Sequence, residues 1–175
     1  LTDSRREAAG KLIPLIRREL EFLDMEKVTF EIAIDHGKAM TATGADTVEF
    51  LISVNPGEPP KSISKIASGG ELARIMLAIK SVFANAFSLK TAIYDEVDTG
   101  VSGKTARKIG IRLKQSAHST QTICVTHSAQ IASLADHHML IRKNSEAGRA
   151  ETTVEPLNYD ARVQEIARIL GGVTV

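Results

Sequence analysis

The sequence predicts an α/β fold: a mainly parallel sheet flanked by helices and preceded by an antiparallel pair of strands. Two patterns lead to this prediction. Apolar and polar residues alternate over 28–34 and again over 48–54, as in strands that bury one face. From residue 91 onwards, short apolar runs alternate with segments of helical periodicity, and that order builds parallel sheets.

The first segment is predicted to be helical. Residues 3–12 are polar and rich in helix-forming side chains, and Pro14 should kink or restart the helix before it continues to Leu23. We expect residues 1–12 to be the stub of a coiled coil and residues 13–175 to form one domain.

The two alternating segments are predicted to pair as a hairpin around the loop 43–46. Residues 55–60 contain three prolines and a glycine, so they are expected to form an irregular connector. A helix should follow from Glu71, because apolar residues recur there at helical spacing. These residues are Leu72, Ile75, Met76, Ile79, Phe83 and Phe87.

The rest of the chain is predicted to alternate strands and helices. The expected strands are 91–94, which looks buried, then 120–126, a strand around 139–142, and 151–157. The expected helices are 102–116, 129–134 and a last one that ends at Gly171 and Gly172.

Composition restricts the class of protein more than its function. The 175 residues are 43% hydrophobic and 25% charged, which suits one soluble domain, and a net charge of +1 neither predicts nor excludes a nucleic-acid partner. Cys124 lies alone in an apolar run, which suits a buried thiol in a reducing, cytoplasmic compartment. No apolar stretch approaches the roughly 18 residues of a spanning helix, so we expect no membrane partner. The chain does not begin with Met, so we expect a fragment.

Two adjacent carboxylates follow the strand 91–94. Asp95 and Glu96 would lie at the carboxyl end of a strand, where open α/β sheets bind ligands. One carboxylate could organise a metal ion while the other orients and deprotonates water. A strand that simply ends in an acidic, solvated turn is the alternative.

Ser68, Gly69, Gly70 and Glu71 stand where the next helix begins. A Ser followed three residues later by Glu is formally a capping box. Capping does not explain two glycines, each of which costs about 1 kcal/mol relative to Ala in a helix. Because glycine lets a ligand approach the backbone amides of a helix N-terminus, the segment predicts phosphate binding.

His127 follows the strand 120–126, again at a carboxyl end, so it can reach the same edge as the acidic pair. Gly103, Lys104 and Thr105 imitate the end of a phosphate-binding loop. The full pattern requires a glycine five residues before Gly103, and that position holds Asp98. We therefore reject a phosphate cradle there.

The order of these motifs resembles that of ABC-type ATPases. Residues 68–71 resemble the signature, Asp95 and Glu96 the Walker B pair, residues 98–100 the D-loop, and His127 the switch histidine. Glu71, where transporters usually carry Gln, is more similar to the SMC branch. The longer stretches 64–80 and 95–103 resemble the RecN family of bacterial DNA repair proteins.

This resemblance implies the C-terminal lobe of an ATPase head whose Walker A loop belongs to an N-terminal lobe. It implies ATP and Mg²⁺ as cofactors. Asp95 would organise Mg²⁺, Glu96 would polarise the attacking water, and His127 would contact the γ-phosphate.

The same resemblance implies a second head in an ATP-dependent homodimer. Each ATP, bound on one head, would be covered by Ser68, Gly69, Gly70 and Glu71 of the other head. Asp98, with Thr99 and Gly100 of the D-loop, would communicate across the dimer. DNA is the implied partner, the implied process is double-strand break repair by recombination, and the implied location is cytoplasmic and nucleoid-associated.

Two alternatives stay open at this point. The chain could be the lobe of another SMC-like or ABC-type ATPase, which shares the chemistry and changes the partner. It could also be a non-catalytic dimerisation module in which the acidic pair and the glycines are structural.

Overall fold

The structure, a computed structural model, describes residues 1–66, 69–87, 89–146 and 149–171. Its helices are α1 Thr2–Phe22, α2 Gly69–Phe87, α3 Gly103–Ser116, α4 Ala129–Ala132 and α5 Tyr159–Gly171, with a 3-10 turn at Ile63–Lys65. Its strands are β1 Thr29–Thr41, β2 Gly44–Ser53, β3 Lys61–Ser62, β4 Thr91–Asp95, β5 Gln121–Val125, β6 Met139–Glu146 and β7 Arg149–Pro156.

Helix α1 continues through Pro14 instead of restarting there. A proline inside a helix costs about 3 kcal/mol, because it removes one hydrogen bond and crowds the preceding turn. The inner face of the helix buries Ile16 and Leu20 completely or nearly so, and each such side chain contributes about 1.5–3 kcal/mol. This packing offsets the local cost of the proline. The division between a coiled-coil end at residues 1–12 and a lobe from residue 13 stays a prediction.

The predicted antiparallel pair β1–β2 is confirmed, and its strands are longer than expected. Phe30 pairs with Ile52, both are almost fully buried, and Val48 nearer the turn is 45% exposed. Thr41 already pairs with Gly44, whose φ of +99° permits a tight two-residue turn. The expected loop 43–46 is therefore mostly strand.

A buried carboxylate joins the start of α1 to this hairpin. Asp46 is 2% exposed and accepts hydrogen bonds from the hydroxyl of Thr2 (2.9 Å) and the guanidinium of Arg5 (2.9 Å), and its Oδ1 lies 2.9 Å from Nδ1 of His36. The hydrogen bond with His36, followed by that from Thr2, lowers the pKa of Asp46 to about 2. We call these four residues the Asp46 clasp.

The parallel component of the fold is one pair of strands. β4 and β5 run parallel with Ile93 opposite Ile123, whereas β6 and β7 form a separate antiparallel pair. The α/β class is thus confirmed, with less parallel sheet than predicted. Helices α2 and α3 contribute Ile75, Leu77, Ile109 and Leu113 to the core beneath these strands.

Strand β4 is buried on one face, not on both. Ala92 and Tyr94 point into the core, whereas Ile93 is 60% exposed. Ile123 and Val125 of β5 are 45% and 46% exposed, so the outer face of this pair is apolar and open to solvent. Parallel sheets are normally covered on both sides, and within the described part of the chain nothing covers this one.

Cys124 is half-buried, and burial raises the pKa of its thiol to about 12. The side chain is therefore a neutral thiol near pH 7 and not a nucleophile. None of the described helices combines the length and the apolar character that a membrane-spanning segment needs.

Candidate functional site

The two predicted carboxylates stand at the carboxyl end of β4, as expected. Asp95 ends the strand and pairs with Val125, so Glu96 comes next to the segment that begins with Thr126. Asp95 and Glu96 are both exposed, and neither carboxylate forms a hydrogen bond or ion pair with another described residue. Their oxygens are thus available to ligands from outside the lobe.

Glu96 adopts a left-handed backbone conformation with a φ of +52°. Such a conformation costs a residue with a side chain about 1–3 kcal/mol, and it clusters at functional sites. It turns the chain sharply after the strand, and the amide of Thr99 donates to the carbonyl of Glu96 across the turn (3.2 Å). Sequence reasoning did not predict this strain.

The D-loop is a tight turn anchored from beneath. Val97 is 1% exposed and holds the turn on the core. Gly100 has a φ of +71°, which suits glycine, and the amide of Val101 donates to the carbonyl of Asp98 (3.4 Å). Thr99 and Gly100 are therefore the exposed members of the loop.

The carboxylate of Asp98 points inward, although the resemblance implied a role across a dimer. The side chain is 1% exposed. Its Oδ2 accepts the hydroxyl of Thr126 at 2.6 Å and the backbone amide of His127 at 3.2 Å, while Oδ1 has no hydrogen-bond partner among the described residues. Communication of Asp98, Thr99 and Gly100 with a second head stays a prediction.

His127 presents its imidazole to solvent, with the side chain 80% exposed. Nδ1 lies 3.5 Å from Oδ2 of Asp98, which is too long for a good hydrogen bond. The ring adjoins a cleft of about 310 Å³ that also touches Ser128, Gln130 and the end of α5. The histidine is held by its backbone, and its ring is available to a ligand.

The two signature glycines have different surroundings. Gly69 opens α2, and among the described residues no atom beyond its chain neighbours and its own helix lies within 4 Å of the place where a Cβ would stand. A Cβ on Gly70 would collide with the carbonyl oxygen of Thr99 and come within 3.1 Å of its carbonyl carbon. Gly70 is thus required by packing against the D-loop, and the open space expected of both glycines exists only at Gly69.

Of the two remaining signature residues, Ser68 and Glu71, the structure describes Glu71. Ser68 lies outside the described residues, so its expected contact with phosphate stays a prediction. Glu71 lies in the first turn of α2 and lines a separate cleft of about 380 Å³ together with Arg74.

Gly103, Lys104 and Thr105 form the first turn of α3, capped by Ser102, whose Oγ accepts from the amide of Thr105 (3.4 Å). The Thr105 hydroxyl donates to Asp24 (2.7 Å), and a Cβ on Gly103 would stand 3.3 Å from the amide of Gln130. Gly103 and Thr105 therefore pack and bond within the lobe, and the rejection of a phosphate cradle stays a prediction.

Contacts within the lobe connect three of the predicted motifs. Gly70 packs on Thr99, and the adjacent Asp98 holds the segment of Thr126 and His127. Sequence reasoning singled out the motifs but missed Thr126, whose only signal is a hydroxyl directly after an apolar strand. It also missed the contact between Gly70 and Thr99, since no local pattern encodes it.

The donor set near Asp95 suits Mg²⁺ bound together with a phosphate ligand. Within the described ranges, no cluster of three or more His, Cys, Asp or Glu side chains is placed to hold a metal ion. Mg²⁺ typically takes one or two carboxylates and completes its shell with water and substrate phosphates. Asp95 and Glu96 can supply that small share.

No family model matches the sequence. The chain is 42% identical over 177 residues to DNA repair protein RecN of Halalkalibacterium halodurans, with 99% of this chain and 31% of the relative covered. It is 44% identical over 186 residues to RecN of Bacillus subtilis, with 98% and 32% covered. The match is to the C-terminal part of these proteins, and the chain spans about a third of their length.

Solved structures with the same fold are heads of SMC proteins. A Smc head domain with a coiled coil and joint from Pyrococcus yayanosii matches with a TM-score of 0.65 at 17% identity, over 94% of this chain and 30% of that one. A chain from work on ATP-driven dimerization and DNA-stimulated activation of SMC ATPases matches with a TM-score of 0.60 at 15% identity, over 97% of this chain and 98% of that one. These likenesses show that the fold is that of an SMC-type head.

Proposed function

We propose, on the premise that this chain is a RecN-type sequence corresponding to the C-terminal part of that protein, that it supplies half of an ATP-hydrolysing site. In this proposal the lobe provides the hydrolytic carboxylates and the phosphate sensor. The phosphate cradle belongs to an N-terminal lobe of the same protein.

One observation carries the proposal. The parallel pairing of β4 and β5 places the exposed Asp95 and Glu96 beside the segment that presents His127, at a single edge of the sheet. Hydrolysis of a phosphoanhydride requires an oxygen ligand for a cation, a base for water and a donor for the developing charge. The three side chains match these three requirements.

Each of the three residues has a distinct role in this scheme. Asp95 would organise Mg²⁺, which neutralises phosphate charge when it is bound together with ATP. Glu96 would orient a water molecule and accept its proton, and its side chain is exposed at the end of β4. His127 would donate to the γ-phosphate from its exposed ring.

We further propose that the start of α2 covers the ATP of a second, identical head. The amides at a helix N-terminus carry a partial positive charge of about +0.5 and bind phosphate well. The open space at Gly69 supports this role, because a phosphate can approach the backbone there. Ser68 and Glu71 would complete the contact.

The exposed apolar face of the β4–β5 pair supports the existence of the N-terminal lobe as a partner. Ile93, Ile123 and Val125 form an uncovered surface on a parallel sheet. The relatives are about three times as long as this chain, so the rest of the protein has ample length to cover that face.

DNA enters the proposal through the relatives, which are named DNA repair proteins. We propose that ATP-driven pairing of heads acts on DNA in the recombinational repair of double-strand breaks, in the cytoplasm at the nucleoid. The net charge of +1 offers no independent support for a DNA site on this lobe.

The test compares ATP turnover and ATP-dependent dimerisation of this chain alone, of the complete protein, and of the complete protein with Glu96→Gln. Turnover should require the complete protein. The variant should lose about 10²–10⁴-fold in turnover while it still binds ATP and accumulates as a dimer. Turnover by this chain alone, or undiminished turnover by the variant, would refute the split site.

A further inference from the structure

We infer that Thr126 is a positioning residue for the switch histidine, which it holds through Asp98. The inference rests on the proposed function, in which His127 contacts the γ-phosphate. Its own basis is a set of three hydrogen bonds inside the lobe.

The hydroxyl of Thr126 acts as donor and acceptor at once. It donates to Oδ2 of Asp98 at 2.6 Å and accepts the backbone amide of Ser128 at 3.0 Å. The same Oδ2 accepts the backbone amide of His127 at 3.2 Å. Two consecutive amides, one on each side of the His127 Cα, are therefore anchored to this group.

Burial makes this arrangement demanding. The carboxylate of Asp98 is 1% exposed, and its Oδ1 already lacks a partner. A buried carboxylate needs donors, and those to a charged group form the stronger class of hydrogen bond. Without the Thr126 hydroxyl, Asp98 would keep only the amide of His127 and would gain by moving toward water.

A movement of Asp98 would displace His127 and also Thr99, the next residue in the D-loop. Thr99 contacts Gly70 at the start of α2 so closely that no side chain fits between them. The Thr126 hydroxyl thus also helps to hold the D-loop in its packed position against the start of α2. Its hydroxyl acts through Asp98 and the backbone amide of Ser128.

The test uses three variants of the complete protein. Thr126→Val preserves the shape and removes the hydroxyl, and Thr126→Ser restores the hydroxyl. Thr122→Val is the matched control, because Thr122 lies on β5, the strand that directly precedes Thr126, and donates its hydroxyl to the carbonyl of Thr120 (3.1 Å), away from the site.

Thr126→Val should lower kcat roughly tenfold with less than about threefold change in KM, because small misplacements of a catalytic group act mainly on the chemical step. Thr126→Ser should recover most of kcat, and Thr122→Val should leave it unchanged. Amide hydrogen exchange at His127 and Ser128 should rise about tenfold in Thr126→Val alone.

Several results would overturn the inference. They are an unchanged kcat in Thr126→Val, an equal loss in Thr126→Ser, and an equal loss in Thr122→Val. If the wild-type protein lacks ATP turnover, the proposed function fails by itself, and the exchange rates then decide whether Thr126 holds this segment. Unchanged exchange in Thr126→Val would contradict the inference in either case.

Discussion

The hairpin module of α1, β1 and β2 is complete within this chain, whereas the β4–β5 edge is not. In the module Phe30 and Ile52 are buried, and the carboxylate of Asp46 has three partners. At the β4–β5 edge, Ile93 is 60% exposed and the carboxylates of Asp95 and Glu96 carry no hydrogen bond or ion pair within the described residues.

The difference indicates which surfaces of the chain are available to bind other groups. An exposed apolar sheet face is unfavourable in water until a second surface covers it. Unpaired carboxylates act only when they bind a ligand. A site divided between two lobes and two heads has this appearance when one lobe is seen alone. Mutations in the two regions therefore test the difference between them.

The largest difference should come from truncating one apolar residue in each region. Phe30→Ala should destabilise this chain by about 3–5 kcal/mol, because it empties a fully buried site. Ile93→Ala should cost less than about 1 kcal/mol in this chain, since most of its side chain is already in water. Urea denaturation measures both values.

The same two variants, Phe30→Ala and Ile93→Ala, give a second test when they are made in the complete protein. There Ile93→Ala should become clearly more destabilising if another lobe covers the β4–β5 face, while the cost of Phe30→Ala stays the same. An equal cost of Ile93→Ala in both contexts would contradict a covered face.

A smaller difference should separate the two glycines of the signature. Gly70→Ala should cost this chain about 1–3 kcal/mol, because the new methyl group meets the Thr99 carbonyl and overpacks the contact. Gly69→Ala should change the free energy of unfolding by less than about 1 kcal/mol, as its surroundings are open. Similar costs for the two variants would show that the contact with the D-loop is dispensable.

The smallest effect should appear in the pH dependence of the Asp46 clasp. Because the pKa of Asp46 falls from 3.8 to about 2 on folding, the clasp stabilises the chain above pH 3.8 and loses that contribution as the pH falls toward 2. The wild type should thus exceed Asp46→Asn in thermal stability by more above pH 3.8 than near pH 2. The difference should shrink in acid, and a difference independent of pH would contradict the assignment.

Local patterns were sufficient to predict most elements of this fold. The alternation around Phe30 and Ile52 predicted β1 and β2, and the strand ends correctly located Asp95 and His127 at one sheet edge. Periodicity reports which side of an element faces a core, and the chain direction of parallel strands determines which ends meet. The motif order added the family, which the comparisons support.

By itself, then, the sequence determined the types and order of the elements and the residues placed at the candidate site. Only the tertiary structure decided that α1 passes through Pro14, that Ile93 stays exposed and that the side chain of Asp98 points inward. It also decided that Thr99 fills the space beside Gly70. The physical reason is common to all four. Each depends on atoms distant in sequence, whose packing overrides the local preference or, at Ile93, fails to cover the residue.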